Sequence, residues 1–229
     1  MDVEGVIKLA RELIEQNPGN LYSHLTDEYL SHLSDTYRIA GETVDAVCSR
    51  YPLLEKYINR EEVALAGGLH DIGRPLRKNQ LFHELRGARY IEDHGLEMGV
   101  GDSLVDVYRI AQMFRSHYLV AEQFDDRENA PDRGEFEALD PELLIPRSWQ
   151  EAIVVFAELS NIRGTKTSIQ DRVADIKKRY ADDPLYNSNA SLLRAMGKGL
   201  PRILKTCERV ERLKCGKLGE PEIMRYGFI

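Results

Sequence analysis

The stretch VALAGGLHDIG, residues 63–73, decides how this chain folds. Seven apolar or small residues indicate a buried helix, and His70 and Asp71 follow at its carboxyl end, just before Gly73. Neighbouring side chains on a helix point about 100° apart, but at a helix end, where a glycine lets the backbone turn, both can reach one metal ion. A buried imidazole beside a buried carboxylate is costly unless something binds them. The plain alternative is a helix-end histidine with a capping aspartate.

Apolar residues recur every three or four positions along most of the chain, which predicts an all-α protein. No segment alternates with the period of two that is typical of a strand, so we expect no sheet. We place a helical domain at 1–183 and a small C-terminal helical extension, packed on it, at 184–229. One predicted helix runs from the capping box of Asn59 and Glu62 to His70, and the last one runs from Pro201 to near Gly216. The other predicted helices are Val3–Gln16, Thr26–Arg50, 82–94, 102–119, 148–162 and 168–181.

Residues 122–147 interrupt this periodicity, because they are acidic and dotted with prolines. A connection of this length is often functional or mobile. Two interpretations stay open, a lid beside the site and a plain surface insertion.

The charge of the chain is divided unevenly. Of its 31 Lys and Arg and 38 Asp and Glu, residues 161–229 hold 15 and 8, which leaves 16 basic and 30 acidic groups in the first 160 residues. This acidic body argues against a long nucleic acid as partner. The simplest interpretation is that the basic tail complements the acidic body, within one chain or across a homodimer.

Composition also bears on the cellular environment. No apolar run is long enough to span a bilayer, and the segment after Met1 lacks the pattern of a secretory signal. The three cysteines show no CxxC spacing, which is typical of reduced thiols rather than of a cysteine metal site. We therefore expect a cytoplasmic protein without a membrane partner.

Further candidate ligands lie on the predicted helices. His83 opens one helix, His117 lies near the end of another, and Glu158 follows the apolar run 153–157, so its carboxylate should be buried and in need of a cation or a proton. For Glu158 a buried ion pair with an arginine is the competing interpretation. His24 and His94 have the surroundings of ordinary surface residues.

These motifs resemble those of the HD-domain metal-dependent phosphohydrolases, all-helical proteins named for an adjacent His and Asp. Residues 66–73, AGGLHDIG, are similar to the core motif of the family, and residues 83–88, HELRGA, are similar to the segment that carries the next histidine. His117 falls where a fourth histidine is expected. The resemblance covers about residues 24–181 and implies an HD-type helical bundle.

Two positions depart from the family pattern. Its first histidine, three residues before an arginine, is Asp35 here, and its last aspartate is Glu158. Both replacements are oxygen ligands, so a metal site shifted toward carboxylates can be retained. For Asp35 a surface residue paired with Arg38 is the competing interpretation. His32, three residues before Asp35, could substitute if the backbone is shifted, and otherwise lies behind the ligands or faces solvent.

The resemblance implies a metal centre that acts on a phosphate ester. One divalent ion (Mn, Fe, Co, Ni or Zn) would be held by Asp35, His70, Asp71 and Glu158, and a second by His83 and His117 with Asp71 as bridge. His70 and Asp71 would then be the catalytic residues. Arg38, Arg74 and Lys78 would bind the phosphate of a nucleotide or another small phosphorylated metabolite. A solvated basic turn is the competing interpretation for Arg74 and Lys78.

Two rival interpretations belong to different classes of function. The changes at Asp35 and Glu158 also fit a degenerate HD domain that binds a nucleotide or a protein partner without catalysis. A purely structural module that assembles through its tail helices would make no use of His70.

Overall fold

The computed structural model describes residues 1–19, 21–78, 80–126, 131–162, 165–182 and 190–227. The structure is 71% helical. Within these ranges it contains ten α-helices and one sheet of two strands with two residues each. The predicted all-α class is therefore confirmed.

The helices follow the chain in order and are connected by turns and short 3₁₀ segments, at Leu21–Ser23, Pro52–Lys56, Pro131–Phe136 and Pro141–Leu144. The α-helices are α1 (Val3–Gln16), α2 (Thr26–Arg50), α3 (Arg60–Leu69), α4 (His83–His94), α5 (Leu104–Arg115), α6 (Val120–Asp125), α7 (Trp149–Leu159), α8 (Ile169–Asp182), α9 (Ala190–Lys214) and α10 (Glu220–Tyr226).

Side-chain caps fix where several helices begin. Asn59 accepts hydrogen bonds from the backbone N–H groups of Glu61 and Glu62, which is one half of the predicted capping box. The Glu62 carboxylate accepts from Arg109 instead of from the Asn59 backbone. Ser148 and Glu151 form a complete capping box at the start of α7. Each such cap satisfies backbone donors that lack a partner in the first helical turn, and contributes about 1 kcal/mol.

Helix α3 lies at the centre of the bundle and ends at the candidate site. Residues 63–69 are all buried, and α1, α2, α5 and α7 pack around them. Helix α7 is buried along its whole length, and it packs against α2 and α3. The carboxyl ends of these two core helices therefore place His70, Asp71 and Glu158 inside the protein.

The C-terminal helices pack against this bundle. Helix α9 contacts α7, α6 and α2. The Trp149 indole N–H donates to the Ile223 carbonyl oxygen at 2.8 Å, and the Tyr51 hydroxyl donates to the Leu218 carbonyl oxygen at 2.9 Å. The predicted domain boundary between residues 183 and 184 lies outside the described residues.

The prediction that the last helix begins at Pro201 is wrong. Pro201 lies inside the continuous helix α9, and α10 follows it. An internal proline removes a backbone hydrogen bond and costs about 3 kcal/mol. Buried residues lie on both sides of it, including Met196 and Ile203, so packing of the whole helix outweighs this local cost.

The expectation that the chain has no sheet also needs a small correction. Directly after α7, residues Asn161–Ile162 (β1) pair antiparallel with Thr165–Lys166 (β2), with Asn161 opposite Lys166. Strands of two residues are too short to show an alternating pattern, so the sequence carries no signal for them.

Part of the proline-dotted segment 122–147 is packed against the bundle. Phe136 and Leu144 are buried, and Glu135 accepts a hydrogen bond from Arg77 at 2.7 Å. Residues 127–130 lie outside the described residues. That the segment acts as a lid stays a prediction.

No helix in the described ranges combines the length and the apolar character needed to cross a membrane. Cys48, Cys207 and Cys215 are free thiols, the first two of them buried.

Candidate metal centre

Histidine and carboxylate side chains from five regions of the bundle converge in its interior. Three overlapping groups each offer ligand atoms within 4.8 Å of one another, so buried His, Asp and Glu residues here could hold a metal ion. The groups are His32, His70 and Glu158; His70, Asp71 and His117; and His83, Glu84 and His117. We call these seven residues the buried cluster.

Three histidines of the buried cluster are fixed in the same way. The Nδ1 atoms of His70, His83 and His117 lie 2.7, 2.9 and 2.8 Å from the carbonyl oxygen of the residue three positions earlier. Because a carbonyl can only accept, Nδ1 carries a proton in each ring, and Nε2 is the nitrogen left to bind a metal ion. Metal-binding histidines are commonly oriented by such a bond from their other nitrogen.

Asp71 lies between these imidazoles. Its Oδ1 is 2.9 Å from Nε2 of His83 and 3.5 Å from Nε2 of His117, and its Oδ2 is 3.7 Å from Nε2 of His70. The Tyr29 hydroxyl donates to the Asp71 backbone carbonyl at 2.8 Å, which holds this turn against α2. The carboxylate thus faces both ends of the buried cluster.

A close backbone approach brings Asp71 to His83. A Cβ atom added to Gly73 would lie 1.9 Å from the His83 carbonyl oxygen and 2.5 Å from the Gly87 nitrogen. Only glycine allows the turn after the His-Asp pair to pack this tightly on the start of α4. The glycines of the two sequence motifs therefore have a direct structural role.

Two residues with left-handed backbone conformation flank the cluster histidines. Phe82, with φ of 58°, precedes His83, and Tyr118, with φ of 55°, follows His117. This conformation is unfavourable for residues other than glycine, and such outliers concentrate at functional sites. The N–H of Phe82 donates to Gln123 at 3.3 Å, so contacts from the surrounding helices hold the conformation in place.

Burial and neighbouring charges shift the pKa values in opposite directions. Burial lowers the pKa of His32 and His70, so these two rings are neutral at neutral pH. Burial alone would raise the pKa of Asp71, but the Arg74 guanidinium and the surrounding imidazoles hold it well below the usual range. Asp71 therefore stays an anion inside the protein.

His117 differs from the other histidines in its electrostatic surroundings. Burial would lower its pKa, but the nearby carboxylates of Asp71, Glu158 and Glu84 together raise the pKa to about 9. Three anions around one imidazole favour a cation at this position, either a proton or a metal ion.

Comparisons with protein-family models, with curated proteins and with solved structures give no match for this chain. The resemblance to HD-domain phosphohydrolases therefore stays a prediction. What supports a metal centre is the geometry of the buried cluster.

The structure brings together five of the six predicted ligands, namely His70, Asp71, His83, His117 and Glu158. The sixth, Asp35, lies apart from them, where it contacts Arg38 at 3.3 Å, and His32 takes the predicted place. Helix α2 presents Leu33 and Thr36 to the core, and this rotation turns His32 toward His70, with 3.1 Å between their Nε2 atoms.

Of the three predicted phosphate-binding residues, only Arg74 reaches the buried cluster. Its Nε lies 2.5 Å from Oδ2 of Asp71. Arg38 is half exposed and pairs with Glu42 at 2.6 Å, and Lys78 is exposed. Arg38 and Glu42 thus form an i, i+4 ion pair on the solvent-facing side of α2, which explains why Arg38 does not reach the buried cluster.

Sequence reasoning missed Glu84 and Arg172. Glu84 is fully buried beside His83, and the helical spacing of Ala88 and Ile91 carried a usable signal, since positions 84, 88 and 91 share one face. Arg172 is also buried and its charge acts on His32, but it comes from α8, so only the tertiary fold brings it near.

Proposed function

We propose that this protein is a metal-dependent phosphohydrolase that acts on a nucleotide or a related small phosphate ester. One observation carries the proposal. Three buried histidines, each anchored through Nδ1 to a backbone carbonyl, direct Nε2 toward the neighbourhood of one carboxylate, Asp71. This arrangement and the sequence motif around His70 support the same function independently.

The donor atoms of the buried cluster fit a divalent transition metal. Nε2 of His117, Oε2 of Glu158 and both carboxylate oxygens of Glu84 are buried and make no hydrogen bond within the described part of the chain. Leaving such atoms unpaired costs about 1–3 kcal/mol each, and more when they are charged. Mixed imidazole and carboxylate ligands suit Mn, Fe, Co, Ni or Zn and are poor for Ca.

Formal charge supports the same fit. Once a metal ion has displaced the proton of His117, the formal charges of the Asp71, Glu84 and Glu158 carboxylates sum to −3. Arg74 is the one Lys or Arg side chain in the described residues that pairs with any of them. The remaining formal charge of −2 calls for at least one divalent ion. A bound divalent ion supplies Lewis acidity, which lowers the pKa of water and stabilises charge that develops on a phosphoryl group.

The protein's own residues would position the substrate at the His32 side of the buried cluster. His32 is the most exposed of the seven residues, with 14% of its side chain accessible. Arg74 and Arg172 both act electrostatically on this ring. A guanidinium matches the geometry of phosphate oxygens, so Arg74 would bind the phosphoryl group by exchanging its contact with Asp71.

Hydrolysis of small phosphate esters tests this proposal. The purified protein is screened against phosphomonoesters and nucleotides in the presence of Mn²⁺, Co²⁺, Ni²⁺, Zn²⁺ or Fe²⁺, beside the variants Asp71→Asn and Asp35→Asn. We expect turnover that Asp71→Asn abolishes and Asp35→Asn leaves nearly intact. No turnover with any ion, in protein shown to contain metal, would overturn the proposal.

A second function is favoured by one contact. Because Arg74 lies 2.5 Å from Oδ2 of Asp71, it compensates part of the charge of this carboxylate without a metal ion. A domain that binds a nucleotide without catalysis needs no more than this. Nucleotide binding that is equally tight with and without divalent ions, with no turnover, would favour this function.

A further inference from the structure

Glu84 is the least expected charged group in the buried cluster. Its residue exposure is 0%, and neither carboxylate oxygen makes a hydrogen bond within the described residues. A buried carboxylate without hydrogen bonds is strongly unfavourable unless a cation is present. None of the site roles that the family resemblance implies falls on Glu84, so the resemblance does not explain its burial.

The neighbours of Glu84 show which side of the buried cluster it serves. Oε2 of Glu84 is 3.3 Å from Nδ1 of His83, and that Nδ1 is already committed to the Gln80 carbonyl at 2.9 Å. Orienting the imidazole is therefore a task that Gln80 performs without Glu84. The ligand atoms of His83, Glu84 and His117 nevertheless lie within 4.8 Å of one another.

A separate group of ligand atoms lies on the other side of Asp71. His32, His70 and Glu158 form it, and Glu84 does not belong to it. Asp71 contacts both sides, with Oδ1 toward His83 and Oδ2 toward His70. The buried cluster thus has two sets of donors, and each set contains its own glutamate.

We infer that Glu84 is a metal ligand that, together with His83 and His117, forms a second cation position beside the one formed by His32, His70 and Glu158. This inference rests on the proposed function for the presence of metal, but it assigns Glu84 to one of two cation positions, which the proposed function does not do. Each position combines imidazoles with one glutamate, and removing the charge of either glutamate should empty its own position.

Metal stoichiometry tests the inference. Wild type, Glu84→Gln and Glu158→Gln are dialysed against Mn²⁺ and their metal content is measured by elemental analysis and by Mn²⁺ electron paramagnetic resonance. We expect two ions with a spin-coupled signal in wild type, and one ion with an isolated six-line signal in each variant. The inference would be overturned if the Glu84→Gln variant kept two ions and bound Mn²⁺ with unchanged affinity.

If Glu84→Gln does not fold, anomalous diffraction from wild-type crystals grown with Mn²⁺ tests the inference instead. An anomalous peak at about 2.2 Å from a Glu84 oxygen would support the inference, and a Glu84 carboxylate without a peak would overturn it. Hydrolysis assayed on the same samples separates the two claims. Two ions without turnover would refute only the proposed function, and one ion with turnover would refute only the role of Glu84.

Discussion

Two charged regions of this protein differ in how their charges are balanced. On the C-terminal helix α9, two arginines each have an acidic partner: Arg202 contacts Glu122 at 2.7 and 2.8 Å, and Arg194 contacts Asp126 at 2.9 Å. In the buried cluster, the three carboxylates have a single Lys or Arg partner among the residues that the structure describes, Arg74, which pairs with Asp71.

This difference separates charges that hold the fold together from charges that are arranged for a ligand. The balanced pairs on α9 agree with the interpretation that the basic tail complements the acidic body within one chain. Burying three carboxylates beside one arginine costs stability, and that cost is expected only where a cation compensates it.

Among the substitutions considered, neutralising Asp71 should weaken metal binding by the buried cluster most strongly. Asp71→Asn preserves the shape of the side chain but removes the anion between both sets of histidines, so we expect the affinity for Mn²⁺ to fall by about 100- to 1,000-fold, or roughly 3–4 kcal/mol. Isothermal titration calorimetry measures this change. Asp35→Asn is the matched control, and a comparable loss in that variant would show that the geometry described above is wrong.

Gly73→Ala should separate the two halves of the buried cluster. Its Cβ would lie 1.9 Å from the His83 carbonyl oxygen, so we expect a loss of about 3 kcal/mol in the free energy of unfolding together with weaker metal binding. Urea denaturation measures the stability. Gly197→Ala on α9 is the control, because no atom lies within 4 Å of the added Cβ, and it should be neutral or slightly stabilising.

The pH dependence of metal binding should show the effect of the carboxylates that surround His117. Its pKa of about 9 means that the metal-free protein keeps a proton there at pH 7, and a metal ion must displace it. Apparent affinity should therefore rise about tenfold per pH unit from pH 7 toward pH 9 and level off above. Calorimetry in buffers of different ionisation enthalpy counts the released protons. Affinity that is flat between pH 7 and 8 would exclude a protonated His117.

The same shift predicts how the stability of the metal-free protein changes with pH. Because the pKa of His117 is higher in the folded than in the unfolded chain, the stabilisation is complete below about pH 6.5 and is lost as the pH rises through 9. The lowered pKa values of His32 and His70 act in the opposite sense and destabilise the fold below about pH 6.5. Stability should therefore be greatest near pH 6.5 and fall as the pH rises toward 9.

Removing an exposed ion pair of helix α9 should change stability and metal binding least. Arg194 is 43% exposed, so we expect Arg194→Ala to cost less than about 1 kcal/mol and to leave metal content unchanged. Thermal unfolding and elemental analysis check both statements. A loss of bound metal in this variant would mean that the two regions are coupled.

Much of the fold could be predicted because its signals are local. The helices Val3–Gln16 and Thr26–Arg50 were predicted with the bounds that the structure shows, since an apolar stripe and a clear stop define each one. Pro201 misled the prediction because it is a local signal that tertiary packing overrides. The hairpin after α7 has no local signal at all.

The part of the candidate site that consists of short sequence motifs could be predicted. His70, Asp71 and His83 come from short stretches of recognisable residues, whereas the choice between His32 and Asp35 depends on the rotation of α2 about its axis, which neighbouring helices set. Glu84 was hidden because a glutamate at the start of a helix is usually explained by the helix dipole. Only its complete burial shows otherwise.

X-ray absorption spectroscopy of the protein loaded with Co²⁺ tests the central claim most directly, because it reads the donor atoms around the ion itself. The account predicts a first shell of nitrogen and oxygen with the multiple scattering typical of several imidazoles, lost in Asp71→Asn. A shell of oxygen alone, a sulfur ligand, or no retained ion would contradict it.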